Sequence, residues 1–184
     1  MDLDRIFGTL QRAGVALERG LDEGELAAVE ETYGFRFPPD LRRFLMHALP
    51  VSRGWVNWRS EDKGAIRHRL AGPYDGLCFD VEENDFWNDR WGDKPAELAD
   101  AFAVVARALA AAPKLIPIFS HRFIPDRPAL DGNPIFSVYQ SDIIIHGADL
   151  ETYLGNELAH SFGEDRYRRR EPPRTIELWS ELAS

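Results

Sequence analysis

The sequence lacks several features on which common chemistries depend. Cys78 is the single cysteine among 184 residues, which excludes an internal disulfide and any zinc site built from several thiolates. The five histidines are never within five residues of one another, so no metal-binding motif of short ligand spacing is present. The glycine-rich loops that hold phosphates, G-x-G-x-x-G and G-x-x-x-x-G-K-[ST], do not occur. We therefore expect neither a metal nor a cofactor.

Basic residues are in the minority, and long apolar runs are missing. The 22 Lys and Arg against 31 Asp and Glu give a formal net charge of −9, which disfavours DNA or RNA binding and favours encounter with basic proteins. No apolar run approaches the roughly 20 residues that a membrane-spanning helix needs. The start, MDLDRIFGTLQRAG, has no basic segment leading into an apolar core, as a secretory signal would have. We expect a cytoplasmic protein without membrane contact.

The patterns that are present predict a single domain over residues 1–184, with 163–184 as a C-terminal extension. Helical spacing comes first, at residues 3–10, 22–33 and 38–49. In the second of these helices, Asp22 and Glu25 stand as the first and last members of a capping box, and Gly34 provides the stop.

β-type patterns follow. Residues 55–58 and 76–81 are rich in apolar and aromatic side chains and are predicted as strands, whereas the alanine-rich stretch 93–112 predicts an inserted helix. Residues 115–119 predict a further strand, which Pro117 assigns to a sheet edge or an irregular segment, and 124–132 is predicted to be a loop.

The stretch 132–154 carries the clearest local signal. Ile135–Tyr139 and Asp142–Ile145 predict a hairpin around Gln140 and Ser141, and Asp149 predicts the cap of a helix. The sequence therefore predicts an α+β fold with N-terminal helices, a mostly antiparallel central sheet with one inserted helix, and a C-terminal helix.

Three segments together resemble the SUKH superfamily, in its bacterial branch similar to the fungal Smi/Knr-type cell-wall-assembly regulators. They are GLDEGELAAVEETYGFRFPPDLRRFL (20–45), FDVEENDFWNDRWGDKP (79–95) with LIPIFSHRFIP (115–125), and GNPIFSVYQSDIIIHGADLETYL (132–154). The resemblance covers about residues 20–162. It implies one α+β domain that acts as a protein-binding module, often an immunity protein that neutralises a toxin, and it does not imply an enzyme.

The densest group of candidate residues lies between Asp80 and Trp91. Trp87 and Trp91 alternate there with the carboxylates of Glu82, Asp85 and Asp89. Exposed indoles flanked by carboxylates suit a basic protein ligand, because the rings give contact area and the charges steer the encounter. Alternatively, the rings fill space against the sheet. The acidic residues do not follow the calcium-loop spacing.

A second group surrounds the predicted hairpin: His121, Arg122, Tyr139, Asp142 and His146. We expect these residues and the first group to form one partner-binding surface. The leading hypothesis is thus a protein-binding module, with a basic toxin domain as one candidate partner. A housekeeping regulatory interaction domain is an alternative.

A small hydrolase or transferase is the other alternative, with His121 as general base and Asp126 or Glu82 as its carboxylate. Ser120 is adjacent as a candidate nucleophile. Because neighbouring residues of an extended segment point to opposite sides, we expect Ser120 and His121 to point apart.

Overall fold

Three helices and a small two-stranded sheet form the N-terminal part of the fold. The computed structural model describes residues 1–162 and 172–183, with side chains up to residue 157 in the first range. The elements of this part are α1 (Leu3–Arg12), β1 (Leu17–Arg19), α2 (Glu23–Tyr33), α3 (Pro39–His47) and β2 (Ala48–Pro50). β1 and β2 pair antiparallel. All three predicted N-terminal helices are present, but the third ends at His47, and Ala48 and Leu49, which were predicted to lie in it, belong to β2.

The ends of α2 are those that its sequence predicts. The Asp22 side chain accepts a hydrogen bond from the Glu25 N–H at 2.9 Å, and the Glu25 carboxylate accepts from the Asp22 N–H at 2.9 Å. Gly34 ends the helix in the left-handed region, at φ 67°. Arg59 also donates to the Glu25 carboxylate, and this hydrogen bond is the main reason that the pKa of Glu25 falls to about 2. The chain after β2 is thereby tied to the start of α2.

The middle of the chain is helical. It contains α4 (Lys63–Glu83), a 3₁₀ turn (Asp89–Trp91) and α5 (Leu98–Ala111). The strand predicted at residues 76–81 is wrong, because these residues lie within α4. The strand predicted at 55–58 is also wrong, since only one isolated bridge, from Trp55 to Phe119, involves it. The helix predicted at 93–112 is confirmed from Leu98 onward.

The period of the buried side chains explains α4. They recur every three to four residues, at Ile66, Leu70, Pro73, Leu77 and Val81, with Leu70 half-buried. This spacing places one apolar stripe on a helix, whereas a strand would bury every second residue. The apolar run at 77–79 includes Phe79, which is exposed on the opposite side of that helix.

Four antiparallel strands form the main sheet, in the order β3-β4-β5-β6. They are β3 (Leu115–Phe119), β4 (Arg122–Pro125), β5 (Ile135–Tyr139) and β6 (Asp142–Gly147). The α+β class and the hairpin of β5 and β6 are confirmed. Pro117 lies on an edge strand beside an irregular register, as its ring predicts. The predicted loop 124–132 begins later, after Pro125.

Each face of the sheet closes a separate core. On the first face, Ile116, Ile124 and Ile135 pack with the N-terminal helices and α6 (Leu150–Phe162). On the second face, Phe123 and Phe136 pack with α4 and α5. Alternation along the strands therefore divides one set of apolar residues between two layers of helices.

The C-terminal residues complete the second core. The first part of the predicted extension, 163–171, lies outside the described residues. Beyond it, Ile176 and Trp179 are buried, and the Trp179 indole N–H donates to the Pro113 carbonyl at 2.7 Å. Trp179 begins α7 (Trp179–Leu182), whose residues pack on the second face.

Candidate partner-binding site

Two tight hairpins place the second group of candidate residues at one end of the main sheet. Ser120 and His121 join β3 to β4, and Gln140 and Ser141 join β5 to β6. The first residue of each loop has a positive φ, 49° at Ser120 and 57° at Gln140, as two-residue β-hairpin turns require. In an antiparallel meander both turns lie at the same end, so His121 comes to lie beside the end of β5.

α4 holds the second of these turns in place. The buried Asp80 carboxylate accepts a hydrogen bond from the Ser141 N–H at 2.8 Å and one from the Ser141 hydroxyl. Burial by itself raises the pKa of Asp80, but the hydrogen bonds from Ser141 and Asn84 outweigh it and hold the pKa below its ordinary value. Gly76 allows the close approach, because a Cβ there would lie 2.9 Å from the Gln140 Cα.

The first face of the sheet leaves a group of side chains exposed or half-buried near these turns. We call this group the sheet patch, and its members are His121, Arg122, Tyr139, Asp142, Ile144 and His146. Tyr139 is 66% exposed and Ile144 is 49% exposed. They lie on paired strands, two residues out of register, which is within reach of a large side chain. The sheet patch thus offers apolar area within a polar surround.

Arg122 and His121 form one side of the sheet patch. The Arg122 guanidinium donates to the Ser137 hydroxyl at 2.7 Å, while its Nε is buried with no hydrogen-bond partner among the described atoms. The His121 and Tyr139 rings meet edge to face, with centroids 6.4 Å apart. This side therefore combines a fixed positive charge with an exposed aromatic ring.

His146 forms the other side and contacts α6. Its Nε2 lies 3.2 Å from the Glu157 carboxylate, and its ring meets the buried Tyr153 ring edge to face at 5.8 Å. Burial raises the pKa of Tyr153 well above its usual range, and the Glu157 charge adds to this effect, so Tyr153 is neutral at pH 7. α6 thus supplies a carboxylate to the rim of the sheet patch.

Ser120 and His121 do not point apart, contrary to the expectation from the sequence. The Ser120 hydroxyl oxygen lies 3.1 Å from His121 Nδ1. The expectation assumed an extended backbone, whereas the left-handed turn conformation of Ser120 brings the two side chains together. Burial lowers the pKa of His121, and the charges of Arg122 and His146 lower it further, so the imidazole is mainly neutral at pH 7.

The first group of candidate residues lies elsewhere, on the second face. Trp87 and Trp91 are half-buried against the core there, with ring centroids 5.3 Å apart, and Trp87 donates to the Gly92 carbonyl at 2.7 Å. The structure thus brings together the five candidates from His121 to His146, but separates them from the indoles by the thickness of the sheet.

The carboxylates of the first group surround these indoles without converging on a point. Glu82, Asp85 and Asp89 are exposed. Asp85 pairs with Lys94 at 2.7 Å, and this hydrogen bond and charge lower the pKa of Asp85. The indoles contribute to packing, and the acids form a solvated rim beside them.

Sequence reasoning missed three residues that complete the sheet patch and its rim: Ser137, Ile144 and Glu157. Ile144 could have been found, because strict alternation in a hairpin gives it the same face as Asp142 and His146. Ser137 follows from the same rule. Glu157 carries no such signal, since its position depends on how α6 packs across the sheet.

The carboxylates proposed for an enzymatic reaction are not near His121. Asp126 follows the far end of β4, where it accepts a hydrogen bond from the Lys114 N–H at 2.8 Å. Glu82 is on α4, which packs on the second face. Among the described carboxylates, the one whose charge raises the pKa of His121 is Glu157, against the larger effects that lower it.

An apolar cavity of about 470 Å³ lies away from the sheet patch, between α4, α5 and Trp179. Among the described side chains, no three of His, Cys, Asp and Glu are grouped so that they could hold a metal ion. In the described ranges, none of the helices is long and apolar enough to cross a membrane.

Comparisons with protein-family models, with curated proteins and with solved structures find no match for this chain.

Proposed function

We propose that the protein is a protein-binding module and that the sheet patch is its binding surface. The observation that carries this proposal is the exposure of Tyr139 and Ile144 side by side on a rigid sheet, within a ring of charged and polar groups. Binding energy at protein interfaces is concentrated in a few aromatic and arginine anchors, and polar rims supply orientation. Tyr139 and Arg122 match the two kinds of anchor.

The form of the surface favours a macromolecular partner over a small substrate. Small-molecule sites are concave and enclose most of their ligand. Tyr139 and Ile144 project instead from the face of two paired strands. A partner with its own apolar surface could cover both residues at once.

The partner that we propose is a toxin domain of basic charge, which the protein would neutralise by covering a functional surface. Two observations support this more specific proposal. The segments 20–45, 79–95 with 115–125, and 132–154 resemble the SUKH superfamily, which includes immunity proteins. The net charge of −9 would speed encounter with a basic partner.

The test pairs two aromatic substitutions. The genes on either side of the one for this protein are first searched for a toxin domain of basic charge. The purified chain is then titrated by calorimetry with that domain, and growth protection is scored on co-expression. Tyr139→Ala should weaken binding by about tenfold or more and reduce protection, as loss of an interface anchor does. Phe79→Ala, at an exposed ring on the other side of the fold, should change neither.

Two results would count against the proposal. Equal binding by the wild type and Tyr139→Ala would remove the sheet patch as the binding surface. Absence of binding and protection by the wild type would remove the toxin-neutralising function.

A second candidate function is hydrolysis with Ser120 as nucleophile, which the 3.1 Å contact between Ser120 and the mainly neutral His121 favours. A fluorophosphonate probe labels activated serines. Labelling of the wild type that is lost in Ser120→Ala would support an enzyme, and no labelling of either would leave this candidate without support.

A further inference from the structure

The two edges of the main sheet are built differently. β3 contains Pro117, which has no N–H to offer, and an irregular register, and Trp55 bridges to it at Phe119. Prolines and irregularities are the devices by which natural sheets prevent pairing with another chain. β6, at the opposite edge, reads Asp-Ile-Ile-Ile-His-Gly from residue 142 to 147 and contains neither proline nor lysine. One edge is therefore protected and the other is suited to pairing.

The register shows which backbone groups β6 presents. Tyr139 and Asp142 flank a two-residue turn, so they form a hydrogen-bonded pair, and Ile144 also bonds to β5. The intervening residues, Ile143 and Ile145, then direct their N–H and C=O groups away from the sheet. No backbone hydrogen bond to these outward groups is formed within 1–162 and 172–183.

The helices nearest to β6 pack on the faces of the sheet. α6 lies on the first face, where Glu157 reaches His146. α7 lies on the second face, where its Leu182, like Ile145 of β6, packs against the second core. α6 and α7 thus cover the two faces of the sheet beside β6. The outward N–H and C=O groups of Ile143 and Ile145 lie at the edge, where another strand can pair with them.

We infer that a second copy of this chain pairs antiparallel along β6, with the two-fold axis at Ile144. In this register the strand is complementary to itself. Asp142 lies opposite His146 of the second copy, and the same pair repeats on the other side of the axis. Ile144 lies opposite its own equivalent at the centre, and Ile143 lies opposite Ile145. Two acid–imidazole pairs therefore enclose an apolar centre on the first face.

The backbone agrees with the same register. Ile143 of one copy and Ile145 of the other become a hydrogen-bonded pair, and the two-fold axis repeats this pair. The outward N–H and C=O groups of both residues are therefore all satisfied in the dimer. The result is a continuous eight-stranded sheet. Side chains of the first face still project from it, so two sheet patches lie side by side on one dimer, and a partner with two sites would bind with avidity.

The experiment is sedimentation velocity across a dilution series, with a matched pair of lysine substitutions. The wild type should sediment as a species of twice 21.0 kDa and dissociate on dilution. Ile144→Lys places two ammonium groups together on the axis and should give the 21.0 kDa monomer at every concentration. Leu130→Lys, at another exposed apolar residue, should behave as the wild type does. A monomeric wild type, or a dimeric Ile144→Lys, would overturn the inference.

A charge exchange tests the register itself. Asp142→His sets imidazoles opposite each other, and His146→Asp sets carboxylates opposite each other, so each alone should weaken the dimer by about tenfold across its two equivalent pairs. The double variant restores an acid opposite an imidazole and should recover most of the lost affinity. The single variant His146→Asp and the double variant both place the new carboxylate near Glu157. The difference between their dimer affinities therefore reports only the pairing between copies. Additive losses in the double variant would refute this register.

Discussion

Replacing Trp179 with alanine should reveal whether the C-terminal residues are part of the domain or an appendage to it. The indole is 2% exposed and packs in the second core, and its N–H donates to the Pro113 carbonyl. Truncating a buried tryptophan to alanine costs about 3–5 kcal/mol in folding free energy. A domain of this size has a total stability of about 5–15 kcal/mol, so the variant should lose a large part of it.

A second substitution separates packing from hydrogen bonding. Trp179→Phe keeps most of the ring contacts but leaves the Pro113 carbonyl without its donor, and it should cost about 1–3 kcal/mol.

The assay is urea unfolding followed by far-UV circular dichroism, which does not depend on tryptophan emission. Trp87→Ala serves as the matched control, because the Trp87 ring is only half-buried and should cost clearly less. A Trp179→Ala protein within about 1 kcal/mol of the wild type would contradict the reasoning, because it would mean that the second core is stable without the C-terminal residues.

Two further predictions concern the contact between α4 and the β5–β6 turn. The folded-state pKa of Asp80 lies below its ordinary value, so the carboxylate contributes stability above the unfolded pKa of about 3.9 and loses it as the pH falls through the folded value. Asp80→Asn should therefore cost about 1.5–3 kcal/mol at pH 7, and urea titrations should show that difference shrinking below about pH 4. Gly76→Ala should cost about 1–3 kcal/mol, since the new methyl group meets the Gln140 backbone, whereas Gly8→Ala in α1 should be neutral or stabilising by up to about 1 kcal/mol in the same titration. An equal effect of the two alanines would show that the helix and the turn are not in close contact.

The elements that the sequence predicts correctly are those that local interactions specify. The capping box of Asp22 and Glu25 and the left-handed stop at Gly34 involve residues within a few positions of one another. The hairpin around Gln140 is equally local. Each of these signals is independent of how the rest of the chain folds, because the residues that form it are close in sequence.

α4 could not be read in the same way, because its local and tertiary signals conflict. Pro73 and Gly76 disfavour a helix by local propensity. In the structure Pro73 is buried on the apolar side of α4, and Gly76 is needed where Gln140 approaches. Both residues serve contacts with distant parts of the chain, so tertiary packing overrides their low helix propensity. The strand predicted at residues 76–81 rested on the apolar run at 77–79, which the helix divides between its buried and exposed sides.

The separation of the two candidate groups has a similar cause. Sequence reasoning placed Trp87 and Tyr139 on one surface, since it could show that both are aromatic but not which face of the sheet each would meet. The second face is closed by α4, α5 and the C-terminal residues, and Trp87 packs at its margin. The first face is covered only in part, so Tyr139 and Ile144 remain exposed. A side chain that the chain itself covers contributes mainly to stability, whereas an apolar side chain left exposed on a rigid strand has contact area to offer. This difference in cover is the physical reason that we propose the sheet patch, and not the indoles, as the partner-binding surface.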